Sequence, residues 1–184
     1  MNWLFGKITD ITDEQYCTVY HALTPSRKAH IDRMKIEDDR KRSLMATFLL
    51  NKLLLSEGIQ AEIETCESGK PFINGHNLHV SISHSDQAVV CALSDTPVGI
   101  DVEKIKPVSK KLIEYVCTRA EADYVLSGKE TVDEIAINRF FEVWTAKEAL
   151  FKKSGGKEKS IRSIDILSLK KQVFVIDDYY ITLL

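Results

Sequence analysis

The chain has 184 residues, 44% hydrophobic and 28% charged, with a formal net charge of −2. That composition excludes a disordered chain and a polycationic nucleic-acid binder, and fits an ordinary soluble protein of one large domain or two small ones. No apolar run reaches membrane-spanning length, and no basic start leads into an apolar stretch as in a signal peptide. The four cysteines (Cys17, Cys66, Cys91 and Cys117) lie far apart with no CxxC spacing, so free thiols in a reducing cytoplasm are expected and a zinc site is not. Charge is uneven. Thr24–Arg42 carries seven Lys/Arg against four acids, and Lys147–Arg162 carries six against two. Two locally basic segments suit a discrete phosphate-bearing ligand better than a long polyanion, although solvated helix faces have the same composition.

In chain order, residues 3–9 read as a strand. Thr12 with Gln15 forms a capping-box signature for a helix over 13–22. Thr24-Pro25 opens a second helical stretch that runs to about Ser56 and ends at Gly58. Thirty residues of unbroken helix is long for so small a domain, so a break is expected near Lys35–Asp38. Ala61–Glu64 reads as a strand. His79–Ile82 and Ala88–Ser94 read as strands joined by a turn at Ser83-His84-Ser85-Asp86, and Val98–Glu103 as another strand. Thr118 with Glu121 caps a short helix, and a strong helical pattern runs from about Asp133 to Lys153, ending before Gly155-Gly156. The last twenty residues read as two or three strands with a turn at Asp177-Asp178. Helices with antiparallel strands thus occur twice, giving an α+β protein of two halves, 1–97 and 98–184.

Asp101 and Glu103 are two apart on a strand, so both carboxylates project from one face. Paired hard oxygen ligands suit Mg²⁺, which keeps several waters and takes its other ligands from substrate phosphate. An acidic pair on a solvated strand face has the same pattern. Glu148 and Lys152 share one helix face with Trp144 a turn earlier, an arrangement equally typical of a surface i,i+4 salt bridge. Phe140, Phe141, Trp144 and Phe151 read as core. Ser83 and His84 on a turn can bind phosphate oxygens, or simply form the turn. Lys70, held between Gly69 and Pro71, can reach an anion from a constrained loop.

Taken in order, Gly69-Lys70-Pro71, Ser81-Ile82-Ser83-His84-Ser85, Gly99-Ile100-Asp101-Val102-Glu103 and Trp144-Thr145-Ala146-Lys147-Glu148-Ala149-Leu150-Phe151-Lys152 resemble the 4′-phosphopantetheinyl transferase family. The resemblance is to its two-lobed, surfactin-synthetase-activating type and runs from about Thr24 to the last strand. It implies two pseudo-symmetric lobes, each a small antiparallel sheet packed with helices, with coenzyme A in the cleft between them and the metal site in the C-terminal lobe. It further implies a cytoplasmic monomer that moves the phosphopantetheine arm of coenzyme A onto a serine of an apo acyl or peptidyl carrier protein, releasing 3′,5′-ADP. Asp101, Glu103 and Glu148 would hold Mg²⁺, with Mn²⁺ an alternative. Glu148 would take the serine proton, and Lys147 and Lys152 would neutralise phosphate charge. Ser83 and His84 would contact the phosphates, Lys70 the nucleotide, and Arg42 the 3′-phosphate. In-line phosphoryl displacement needs positioning and charge stabilisation above all, which this residue set supplies.

The sequence departs from the family in two places. Arg27 and His30 stand where lysines often serve the nucleotide, and on one straight helix Arg27 would lie ~22 Å from Arg42. The C-terminal lobe is also short. The alternatives are a catalytically inactive coenzyme A-binding relative and a module that only docks a carrier protein.

Overall fold

Local capping chemistry sets most helix starts in the computed structural model, which describes residues 1–61, 63–65, 71–156 and 160–184. The chain divides into two units, Met1–Thr96 and Pro97–Leu184. In the first unit, β1 (Asn2–Lys7) leads to α1 (Asp13–His21), whose Thr12/Gln15 capping box is fully formed. Helix α2 (Pro25–Asp32) is capped by the Thr24 hydroxyl, and α3 (Glu37–Ser56) follows after a break over residues 33–36. The break falls where the length of the helical stretch demands it. Gly58, at φ +70°, then turns the chain out of α3. Two short strands, β2 (Ile63–Thr65) and β3 (Pro71–Ile73), pair with each other before the hairpin of β4 (His79–Ser85) and β5 (Ala88–Ser94).

The second unit begins with β6 (Ile100–Lys104). Helices α4 (Lys110–Val116), α5 (Arg119–Leu126) and α6 (Glu134–Lys153) follow, then a 3₁₀ turn at Ile161–Ser163 and the hairpin of β7 (Gln172–Ile176) and β8 (Tyr179–Leu183). The Thr118/Glu121 capping box opens α5, and Asp133 caps α6. Helix α4 was not foreseen from the sequence; Ser109 caps it, but only Ile113 and Val116 give it a buried face.

Each unit builds a three-stranded antiparallel sheet in the same way. Its first strand pairs with its last, which also pairs with the one before it: β1-β5-β4 in one and β6-β8-β7 in the other. In both, three helices lie between the first strand and the closing hairpin, and the third is 20 residues long. Both hairpins turn on two residues, Asp86-Gln87 and Asp177-Asp178, with the leading aspartate at φ near +50°. The central strand is buried along its whole length in each case.

The first core gathers Met45, Leu49, Leu50 and Leu53 of α3 with Val89, Cys91 and Leu93 of β5. The second gathers Phe140, Phe141, Val143 and Ala146 of α6 with Ile113, Val125 and Ile166. Burial of such side chains, at about 1.5–3 kcal/mol each, supplies most of the stabilisation. Among the described residues no helix is long and apolar enough to cross a membrane.

Candidate active site

The second unit places the two strand carboxylates against its long helix. Gly99 makes this possible. A Cβ on it would lie 1.8 Å from the Ala149 carbonyl oxygen and 2.9 Å from the Lys153 amide nitrogen, so only glycine lets the start of β6 rest on the α6 backbone. Two residues on, Asp101 is almost wholly buried, and Lys152 Nζ stands 2.6 Å from its Oδ1 and 3.4 Å from the Ile100 carbonyl. Trp144 donates its indole N–H to Glu103 Oε1 at 3.1 Å. Opposite Asp101 on β8, Thr182 is buried and shares a 2.7 Å hydrogen bond with Thr145 of α6. Thr145 donates its own proton to the Phe141 carbonyl, so Thr182 is the donor between the two hydroxyls.

Glu148 is half-buried one turn beyond Thr145. Burial raises its proton affinity above the usual carboxylate range. The negative charges of Asp101 and Glu103 raise it further, and Lys152 opposes them. Both strand carboxylates therefore act electrostatically on Glu148. Among the described residues, no three His, Cys, Asp or Glu side chains are already gathered as a metal cluster. What the unit presents is three carboxylate groups on facing elements, two of them held by donors from α6. Carboxylate oxygens are hard donors and fit a hard divalent cation.

Lys152 reaches across to β6 and pairs with Asp101, where the sequence suggested an i,i+4 partner in Glu148. Trp144, read as core from the sequence, is also a hydrogen-bond donor to one of the carboxylates. With Phe151, Leu112 and Tyr115 it lines an apolar cavity of about 450 Å³, edged by the Arg162 guanidinium stacked 3.2 Å above the Tyr115 ring.

Lys147 requires a correction. Its side chain is wholly inaccessible, paired at 2.8 Å with an equally buried Glu121, and it donates to the carbonyls of Ile161, Arg162 and Ile164. Glu121 also accepts from the backbone N–H groups of Thr118 and Ile166. This ammonium ties the 161–166 segment and the start of α5 to α6, and in this fold it does not meet a phosphate. The sequence carried the signal: Ala136, Phe140, Val143 and Lys147 fall on one stripe at i, i+4, i+7 and i+11, the buried side of the helix.

In the first unit, Arg42 donates to the Asp86 carbonyl at 2.7 Å and pairs with Asp39, which brings it to the hairpin turn two residues beyond His84. Ser83 and His84 lie on β4 and not on a turn, because the seven-residue apolar strand β5 pairs with β4 as far as Ser85. Ser83 is buried and His84 exposed. The break before α3 folds α2 back, so Arg27 donates to the hydroxyl of Ser43, the residue after Arg42, at 2.8 Å. Burial lowers the proton affinity of Arg27. The ~22 Å separation expected of a straight helix is thereby removed. His30 is exposed on α2. Lys70 and Gly69 lie outside the described residues.

Residues 97–180 match the 4′-phosphopantetheinyl transferase superfamily. The chain is 37% identical over 123 residues to the 4′-phosphopantetheinyl transferase gsp of Aneurinibacillus migulanus, covering 64% of this chain and 49% of that protein. It is 29% identical over 140 residues to the transferase Sfp of Bacillus subtilis, covering 72% and 60%. Against the transferase AcpT of Salmonella typhi it is 33% identical over 130 residues, covering 65% and 64%. The chain thus spans about half to two thirds of the length of these relatives. Residues 97–180, which hold the paired carboxylates of β6 and the facing α6, are thus those that match the 4′-phosphopantetheinyl transferase superfamily, and the chain as a whole is similar to its members.

Proposed function

We propose that the protein transfers the 4′-phosphopantetheine group of coenzyme A to a serine of an apo acyl or peptidyl carrier protein, releasing 3′,5′-ADP. One observation carries the reading: Asp101 and Glu103, side by side on β6, both raise the proton affinity of Glu148 on the facing helix, with Lys152 paired to Asp101. Three acids so placed, with the Lys152 ammonium on one of them, suit a metal-assisted phosphoryl displacement better than a structural role. The three relatives that carry this activity in their names support it.

In this reading Asp101, Glu103 and Glu148 hold Mg²⁺, or Mn²⁺ in its place. A divalent ion held there supplies positive charge to the pyrophosphate of coenzyme A. Glu148, whose raised proton affinity makes it a stronger base than an ordinary carboxylate, accepts the proton of the carrier serine hydroxyl directly or through water. The bond from that oxygen to the phosphorus bearing the pantetheine arm forms as the bond to 3′,5′-ADP breaks. Lys152 places its ammonium against the phosphate oxygens. In the first unit, Arg42, Ser83 and His84 contact phosphate, with Lys70 assigned to the nucleotide. The apolar cavity beside Trp144 has room for the aliphatic part of the arm. Lys147 serves this chemistry only by fixing α6.

The test is direct. Purified protein is incubated with coenzyme A, Mg²⁺ and an apo acyl carrier protein, and the carrier is weighed by intact mass spectrometry. The reading predicts a gain of one phosphopantetheinyl group that EDTA abolishes. No gain on any of several apo carriers, with coenzyme A binding intact, would replace it with a binding role.

A further inference from the structure

The hairpin that closes the second unit has an open outer strand. In the β6-β8-β7 sheet, β7 is paired with β8 alone among the described residues. The two-residue turn makes Ile176 and Tyr179 a hydrogen-bonded pair. The alternation of an antiparallel ladder then points the N–H and C=O of Gln172, Phe174 and Ile176 at β8. Those of Val173 and Val175 point outward, where no other main-chain group among the described residues meets them. Their side chains are 36% and 56% accessible. Open strand edges are normally blunted by a charge, a proline or a bulge. Gln172-Val173-Phe174-Val175-Ile176 has none of these, and its register with β8 is continuous.

Charge stands instead at the two ends. Lys170 and Lys171 precede the strand, Asp177 and Asp178 follow it, and all but Lys171 are exposed. The segment is therefore complementary to itself in reverse. With Phe174 opposite Phe174 of a second copy, Val173 stands opposite Val175, Lys171 opposite Asp177 and Lys170 opposite Asp178. In that register the outward groups of Val173 face those of Val175, each such pair exchanging both of its main-chain hydrogen bonds. A parallel pairing would set like charges side by side. Lys171 already pairs with Glu142, and Lys104 lies 3.7 Å from Asp178, so the end charges fix direction and register more than they add strength.

We propose that β7 is a self-pairing edge: two copies of this chain join β7 to β7, antiparallel about a two-fold axis, merging their three-stranded sheets into one. Each copy spends this edge in the pairing, so association through it closes at the dimer and does not run on as a fibre. The dimer departs from the monomer that the family resemblance implies, and it does not rest on the transferase reading. A helical partner offers no main-chain groups to a strand edge, because its own are bonded internally. One five-residue strand per copy is a small interface, below the ~1,200 Å² of stable complexes. Association is therefore weak and concentration-dependent, with a dissociation constant at or below about 0.1 mM.

Sedimentation equilibrium of the wild-type protein from about 5 µM to about 0.5 mM should show monomer passing to dimer, with no larger species. Val175→Pro removes an outward N–H and no bond to β8, so it should keep the native melt and stay monomeric throughout. Val175→Lys keeps that N–H and places one added charge on each side of the axis. It should weaken dimerisation at least about tenfold, and it carries the test should the proline variant melt abnormally. Amide exchange read by ¹⁵N NMR over the upper part of the range tests the register. Protection of the Val173 and Val175 amides should rise with the dimer fraction, while the Phe174 amide, already bonded to β8, stays protected. A monomer at every concentration, a dimer that both substitutions leave unchanged, or a dimer with the Val173 and Val175 amides still open would each overturn the proposal. Protection of those two amides in a protein that stays monomeric would overturn it too, by showing the edge covered from within the chain.

Discussion

The two units share one chain path and differ in what they put on it. Counting back from the hairpin turn, Lys7 and Lys104 hold the same place in the first strand, opposite Ala88 and Tyr179. On that count Gly6 stands where Glu103 does and Leu4 where Asp101 does; on the last strand Cys91 stands where Thr182 does. The partners across the layer differ accordingly. Leu4 packs into the first core, a Cβ on Gly6 would meet Met45 of α3, and the Cys91 thiol points at the Ala46 carbonyl. Asp101 meets Lys152, Glu103 meets Trp144, and Thr182 meets Thr145. Among the described residues, the buried charges (Asp101, Glu121 and Lys147) all belong to the second unit. The frame is a solution to packing, and its first strand and long helix accept either an apolar seam or an acidic one. The chemistry depends on which side chains occupy that seam.

The contrast breaks most sharply at its charged end. Asp101→Leu gives the second unit the residue of the first. It should lower transfer by at least about a hundredfold, the loss seen when one preorganised charge-stabilising group is removed. The melt should fall only modestly, because the Lys152 ammonium that loses its partner is 28% accessible and can be hydrated. Carrier modification at the wild-type rate would disprove the site assignment. Lys147→Met should act in the opposite manner, through stability. It strands Glu121 in the core without its counter-charge, a loss of roughly 3–5 kcal/mol that a denaturant titration would register. Glu121→Gln in the same protein should recover part of it.

Two glycines at different places in or beside the first strands, each close to the long helix of its unit, sharpen the comparison at the next scale. At Gly99 an added Cβ meets main chain, at 1.8 Å from the Ala149 carbonyl oxygen, and at Gly6 it meets only the Met45 methyl at 2.2 Å. Backbone cannot yield, whereas the end of a methionine side chain can. Gly99→Ala should therefore cost about 1–3 kcal/mol or more, with impaired Mg²⁺ dependence of transfer. Gly6→Ala should cost well under half as much. Equal melts for the two variants would show that the close approach at Gly99 is not tight.

The smallest effect concerns thiols. Burial, with Glu121 nearby, pushes Cys117 up to about 12, and burial also pushes Cys91 up, whereas Cys17 is exposed. A thiol pKa raised from 9.0 to about 12 lowers the thiolate fraction at pH 8 by about a thousandfold. Iodoacetamide at that pH should label Cys17 quickly in native protein, and Cys91 and Cys117 only after unfolding.

Features decided by a few neighbouring residues were legible in the sequence. The Thr12/Gln15 and Thr118/Glu121 capping boxes, the extent of α6 and the break before α3 all follow from local caps, periodicity and length. The acidic pair on β6 was legible for the same reason, since i and i+2 on a strand share a face. What depends on pairing between distant segments was not. Ser83 and His84 look like turn residues until the length of β5 fixes their register. The partner of Lys152 is on a strand 51 residues away, so helix geometry alone pointed to Glu148 instead. Lys147 was assigned by motif to a phosphate although its stripe position already placed it in the core. The likeness of the two units was hidden because equivalent places hold Leu4 and Asp101, or Gly6 and Glu103, residues with nothing in common except their register.

The central claim is that the cation-binding seam belongs to the second unit. Crystals grown with Mn²⁺ and coenzyme A, measured for anomalous scattering, test it most directly. The account predicts one strong peak coordinated by Asp101, Glu103 and Glu148, with the Lys152 ammonium on a phosphate oxygen. A peak held by other residues would contradict it.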